Sequence, residues 1–173
     1  MSEQYPFCRL EMEVGWGDCD AAGIAYYAQY FDWFSNGRIQ LFKKYGLPYM
    51  TFFQRQNINM VALEAGCRYK KSLRPEEIII LETVLVILTR TRIGFKYKIF
   101  KKDGVLAAEG FTTHAYVDER GKPFDLKKRH PALWEKINAL FGEPKGDEIR
   151  GVQDFSSAEG ISREVEEWKS GSG

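Results

Sequence analysis

The 173-residue chain has no apolar run long enough to span a bilayer, so no membrane-crossing helix is expected. Its opening residues, Met1-Ser2-Glu3-Gln4, lack the basic start and apolar core of an export signal. Cysteine is sparse and odd in number: Cys8, Cys19 and Cys67 form no CxxC pair. They read as reduced thiols, and a cytoplasmic location is the expectation. Histidine is scarcer still, with only His114 and His130. No metal-ligand spacing links them to the acids, so no metal is expected. No glycine-rich phosphate loop of the P-loop or dinucleotide type is present. Charge of one sign is also lacking: 25 Lys and Arg balance 24 Asp and Glu, for a net +1. That balance argues against a nucleic-acid partner but leaves room for a local basic patch on a small phosphate ligand.

What remains is a globular composition, 44% hydrophobic and 14% aromatic, at a length suited to one domain. From about Phe7 to Val14, Leu10, Met12 and Val14 alternate with Glu11 and Glu13, the period of a half-buried strand. A helix is predicted from about Tyr26 to Tyr45. Tyr27, Phe31, Phe34, Leu41, Phe42 and Tyr45 recur at helical spacing, interrupted by Arg38. Gly46 and Pro48 stop it. After a loop over Met50–Asn57, strands are predicted near Asn59–Ser72, Ile78–Leu88, Arg92–Lys101 and Val105–Val117. Asp103-Gly104 and Thr89-Arg90-Thr91 are tight connections, so this block is expected to be an antiparallel meander. A second helix is predicted at Pro131–Phe141, with Pro131 at its first position and Gly142 past its end. Residues 1–142 would form the domain, and 143–173 a tail read as mobile, with a short helix at Ile161–Trp168 as the alternative. The segregation of helix and strands makes the class α+β.

The stretch from Val14 to Tyr27 stands apart. It packs Gly15, Gly17 and Gly23 around Asp18, Cys19 and Asp20, just ahead of the aromatic helix. Glycine admits sharp turns and close ligand approach. No Ser, Thr, Asp or Asn stands immediately before Tyr26 to cap the helix, so backbone N–H groups are expected to be free at its start. Spacing alone leaves two readings of Asp20, a capping or turn residue and a catalytic acid. Asp18 reads as a turn residue. Cys19 reads as a buried thiol rather than a nucleophile, because no His stands near it in sequence.

Gly17-Asp18-Cys19-Asp20-Ala21-Ala22-Gly23-Ile24, followed by an aromatic helix ending in Tyr45-Gly46-Leu47-Pro48, resembles the hotdog-fold acyl-CoA thioesterases. The closest likeness is to the 4-hydroxybenzoyl-CoA thioesterase type. Weaker matches are Val61-Ala62-Leu63-Glu64 with Arg68-Tyr69, Ala107-Ala108-Glu109-Gly110 and Gly121-Lys122-Pro123. The resemblance covers about Leu10 to Gly142. It implies one long helix wrapped by an antiparallel sheet and hydrolysis of an acyl-CoA thioester. Asp20 would serve as nucleophile or general base, and the backbone N–H of Tyr27 would receive the thioester oxygen. Gly23, Ile24 and Glu64 are candidates for the pocket. No cofactor is implied, since coenzyme A is part of the substrate. Tyr27 and Gln29 stand where many relatives carry His and Asn, and no Glu stands near Ser35-Asn36, which leaves the acyl group open. A non-catalytic acyl-CoA-binding module and an enoyl-thioester hydratase are the alternatives.

Other candidates have ordinary readings beside functional ones. Glu64 lies in an apolar segment, and an ion pair with Arg68 or Lys70 is as good an account as a pocket role. His114 reads as a satisfied structural residue. Arg90 and Arg92, flanking a tight turn, and Lys70-Lys71 are candidates for coenzyme A phosphates. Lys127-Lys128-Arg129-His130 reads as a solvated linker. Long strands without an internal Pro leave an open sheet edge, and the resemblance implies a homodimer or homotetramer with sites at the subunit boundary.

Overall fold

A computed structural model describes residues 5–141. The expectations for 143–173, including a helix at Ile161–Trp168, lie outside them. Five strands form one antiparallel sheet: β1 (Phe7–Glu13), β2 (Asn59–Tyr69), β3 (Ile78–Leu88), β4 (Arg92–Lys101) and β5 (Leu106–Val117). Four of the five spans depart from expectation by no more than one residue at either end; β2 stops three residues short. Their order is β1-β3-β4-β5-β2. The meander therefore holds for β3, β4 and β5 only. β2 does not pair with its successor β3; it crosses to pair with β5, with Asn59 opposite Val117 and Tyr69 opposite Ala108. Its position leaves β2 at a sheet edge.

The long helix α1 runs Gln29–Lys44. It begins three residues later than the aromatic pattern suggested. Tyr26 gives its N–H to Asp18 O (2.8 Å) and is thereby held in the preceding turn. Tyr27 is 63% exposed and is not part of the buried stripe. The buried residues of α1 are Tyr30, Trp33, Phe34, Gly37, Leu41 and Phe42, a face of helical period. This face lies on the sheet. Phe34 stacks on Tyr97 of β4 at 4.2 Å between ring centroids, and Phe42 meets Phe95 edge-on. The helix comes closest at Gly37, where an added Cβ would stand 2.3 Å from Thr83 Oγ1. Any side chain there would force Thr83 and Leu81 to shift.

The expected loop after α1 contains a short helix, α2 (Tyr49–Phe52), and a 3-10 turn at Gln54–Gln56. The basic run before the last helix is helical too. It forms α3 (Leu126–Arg129), capped by the Asp125 side chain accepting from Lys128 N–H. α4 spans Pro131–Phe141 as expected. The result is α+β: one helix laid across one face of an antiparallel sheet.

Beneath the α1 flank lies a polar chain that apolar periodicity did not anticipate. Arg38 Nη1 donates to Tyr97 Oη (3.3 Å) and its Nη2 to Ser35 Oγ (3.2 Å). Tyr97 Oη and Thr112 Oγ1 are 2.7 Å apart, and Thr112 Oγ1 lies 2.9 Å from His114 Nε2. His114 is buried. Burial, with the Arg38 charge adding to it, lowers its pKa to about 4; a backbone contact at Met60 pulls weakly the other way. It is therefore neutral at neutral pH. Its Nε2 is bonded to Thr112, and its buried Nδ1 has no geometric hydrogen-bond partner among the described residues, so the satisfied histidine that was expected is satisfied at one nitrogen.

Candidate active site

The turn after β1 is built by its own acids and amides. Asp18 Oδ2 accepts from Gly15 N–H at 2.8 Å and closes a 3-10 turn over Trp16–Asp18. One oxygen of its carboxylate is thereby engaged in the turn, and Asp18 is not among the residues that line the recess described next. Asp20 Oδ1 accepts from Ala22 N–H at 2.8 Å. The backbone N–H of Asp20 donates to Ile24 O, and Gly23 N–H donates to Asp20 O, both at 3.0 Å. Gly23 takes a φ of +70° here, the left-handed region that costs glycine least. Ala25 N–H then reaches Leu73 O at 2.8 Å, tying the loop to the β2–β3 connection.

Asp20 thus makes a turn, and it also faces a recess of about 250 Å³ with Ile24, Ala25, Tyr27, Tyr30, Tyr69 and the Lys70–Ser72 segment. Its Oδ2 has no hydrogen bond among the described residues. The two readings of Asp20 are compatible, because one oxygen serves the turn and the other remains available. Ile24 lines the recess, while Gly23 shapes the loop behind it.

The N–H groups of Tyr27 and Ala28 have no hydrogen-bond partner among the described residues. Ala28 is the cap residue of α1 and its side chain makes no capping bond. Free donors at a helix start carry partial positive charge. The Tyr27 carbonyl is engaged: Tyr69 Oη donates to it at 2.6 Å. Tyr69 packs edge-on against Tyr30 with centroids 4.8 Å apart. Burial pushes the Tyr30 phenol up to about 12 and raises the Tyr69 phenol as well, so both hydroxyls keep their protons.

The remaining sequence candidates are dispersed. Glu64 is exposed and stands opposite Thr113, just past a bulge in β2. Thr112 faces α1, so Thr113 and Glu64 point to the other face of the sheet. Within one chain Glu64 is thus neither in an apolar environment nor in the recess. Lys70 pairs with Glu109 (3.3 Å) rather than with Glu64. Arg90 forms an ion pair with Asp125. Arg92 stands opposite Ala115, which in turn faces Val61. Eight residues of strand separate that row from Tyr69, roughly 26 Å. One chain therefore places Lys70 and Lys71 beside the recess and Arg90 and Arg92 at the far end of the sheet. Burial, followed by the Asp18 and Asp20 charges, raises the Cys19 thiol, which disfavours a thiolate. Asp18, Asp20, Glu64 and His114 form no metal-holding cluster among the described residues.

The recess is thus lined by Asp20 and by Tyr27, whose N–H has no partner among the described residues. The sequence model of the Thioesterase-like superfamily matches residues 14–139. The chain belongs to this superfamily. The "Putative acyl-CoA thioesterase YneP" of Bacillus subtilis is 27% identical over 124 residues, which cover 71% of this chain and 89% of that protein. The DHNA-CoA thioesterase of Staphylococcus aureus superposes with a TM-score of 0.72 at 28% identity, covering 80% of this chain and 95% of that one. A 1,4-dihydroxy-2-naphthoyl-CoA thioesterase from Synechocystis gives 0.65 at 14% identity, covering 76% and 98%, a likeness of fold. The α+β architecture is accordingly the hotdog fold, and thioester hydrolysis is the superfamily's reaction class. Among the described residues, no helix is long and apolar enough to cross a membrane.

Sequence reasoning missed two features, the Tyr69–Tyr27 bond and the Arg38 network. The first had a signal in the Tyr at the end of the Arg68-Tyr69 pair. The second had one in the Arg that interrupts the aromatic stripe of α1.

Proposed function

We propose that this protein hydrolyses an acyl-CoA thioester to the free acid and coenzyme A. The observation that carries the reading is that Asp20, with one free carboxylate oxygen, shares a recess with Tyr27, whose N–H is unpartnered. A carboxylate attacks the thioester carbon itself or takes a proton from water that does so. Negative charge then develops on the carbonyl oxygen, and the N–H groups of Tyr27 and Ala28 receive it, aided by the α1 dipole. Collapse of the intermediate expels the coenzyme A sulfur as a thiolate. Where water attacked, the free acid is formed directly; where Asp20 attacked, water then hydrolyses the Asp20 acyl anhydride and restores the carboxylate. Lys71, exposed at the recess, is a cation for the phosphates of coenzyme A.

The walls favour an aromatic acyl group. Tyr27, Tyr30 and Tyr69 line the same recess as Asp20, and flat rings pack well against aromatic walls. The 4-hydroxybenzoyl type is consistent with those walls, as is the DHNA-CoA thioesterase similarity.

The active unit we propose is a homodimer. β2 is an 11-residue edge strand with Val61 41% and Leu63 47% exposed. Such an edge invites pairing with a second copy. Antiparallel pairing of β2 with its equivalent would bring the far end of the partner's sheet toward this recess. By that pairing Arg90 and Arg92 would approach the substrate.

The test is thiol release from a panel of aromatic, short-chain and long-chain acyl-CoAs and enoyl-CoAs, on a sample of known sedimentation mass. Turnover by a species of at least two chains, best with aromatic acyl groups, is the expected result. Tight binding without thiol release would make the protein a binding module. Hydration of an enoyl-CoA without thiol release would make it a hydratase.

A further inference from the structure

Tyr69 contributes nothing to the carboxylate chemistry described above, yet its hydroxyl makes the shortest polar contact in the recess. Tyr69 Oη lies 2.6 Å from Tyr27 O. This carbonyl belongs to the same peptide plane as the Ala28 N–H. A donor on the carbonyl oxygen draws electron density through the amide and makes its N–H a stronger donor. It also fixes the plane at a point where α1 has no side-chain cap to do so.

We infer that Tyr69 is a positioning residue, which orients and polarises the Tyr27–Ala28 peptide so that its N–H, the Ala28 donor at the start of α1, meets the thioester oxygen. The inference rests on the hydrolytic reading above. Three observations meet in it. The Tyr69 ring is braced by Tyr30, so the hydroxyl is held in place. Surroundings that raise its pKa keep the proton available for donation. Tyr69 is also the last residue of β2, whereas Tyr27 stands two residues before α1. The bond therefore joins the end of the edge strand to the donor end of the helix. Tyr69 does not touch the reacting atoms in this account; it acts through the peptide.

Tyr69→Phe removes the hydroxyl and leaves the ring against Tyr30. Since the hydroxyl acts at one remove, its deletion should cost less than the 10²–10³-fold typical of removing a direct oxyanion donor. The expected result is a fall in kcat of about tenfold, with KM within about twofold and the pH–rate profile unchanged in shape. In the folded variant the Ala28 amide proton should move upfield, reporting a weaker donor. A packing role alone would move neither the kcat–KM split nor that single resonance. Wild-type kcat in Tyr69→Phe, with the wild-type enzyme active, overturns the inference and leaves the hydrolytic reading standing. So does an equal change in kcat and KM, or a variant shown by circular dichroism to be unfolded, because either assigns the hydroxyl to the fold. If the wild-type protein releases no thiol from any acyl-CoA, both readings fall together.

Discussion

Acidification below about pH 6.5 should destabilise this protein, and His114 is the main reason. In the unfolded chain its imidazole has a pKa near 6.5; in the fold it is lowered to about 4 by burial and by Arg38. The folded form therefore holds the neutral ring, and protons bind preferentially to the unfolded chain. Stability from this source is complete above pH 6.5 and is lost as pH falls toward 4. A difference of 2.5 units corresponds to about 3 kcal/mol over that interval, at 1.36 kcal/mol per unit. Asp118 and Asp125 have lowered pKa values, so their losses set in at about pH 5 and fall mostly below 3.8, overlapping only the lower end of this window. His130, lowered by partial burial and by Arg129, acts in the same window and needs its own control. Urea unfolding at fixed protein concentration, at half-unit steps from pH 7.5 to 4.5, measures the slope. His114→Gln keeps a polar atom near Thr112 and removes the titration, so its slope should be much flatter. His130→Gln should change the slope less. Parallel slopes for wild type and His114→Gln would refute the argument.

Gly37→Ala gains about 1 kcal/mol of helix propensity. The new methyl meets buried Thr83 at 2.3 Å and Leu81 at 2.9 Å, and overpacking costs about 1–3 kcal/mol. A net loss of about 1 kcal/mol should lower the Tm by about 2–4 °C; an unchanged or higher Tm would contradict the contact. Lys71→Ala should raise KM for acyl-CoA by about tenfold or more with little change in kcat, since a charge-assisted contact is worth about 1.5–3 kcal/mol and each 1.4 kcal/mol is tenfold. Arg90→Ala with Arg92→Ala should raise KM only if paired subunits bring that hairpin to the recess, and an unchanged KM would leave those residues to the Asp125 ion pair and the solvent.

Local patterns were legible wherever one residue's neighbours decide its state. The ends of β3 and β4 follow from β-branched runs closed by Thr89-Arg90-Thr91 and Asp103-Gly104, and the structure places them as expected. Pairing was less legible. Nothing in residues 70–77 records that β2 must cross the sheet, so adjacency in sequence suggested adjacency in space. Glu64 shows the consequence. Its apolar neighbours suggested burial, but an edge strand exposes them in a single chain. The start of α1 was blurred for a different reason. Tyr26 and Tyr27 fit the helical period, but the Asp18 and Tyr69 bonds hold their backbone in a turn. Those bonds join residues 8 and 42 positions apart, beyond the reach of any local pattern. Asp20 was legible as a turn former from spacing, and as a candidate acid through the family resemblance.

The most direct measurement is the turnover of Asp20→Asn beside that of the wild type, with the acyl-CoA that the wild type hydrolyses best. The substitution keeps the size of the side chain and an oxygen that can accept from Ala22 N–H, so melting temperature and sedimentation mass should match. It removes the charge and the basicity. The account predicts a kcat at least about 100-fold lower, the low end of general-base assistance. A folded Asp20→Asn protein that turns over at the wild-type rate would contradict it.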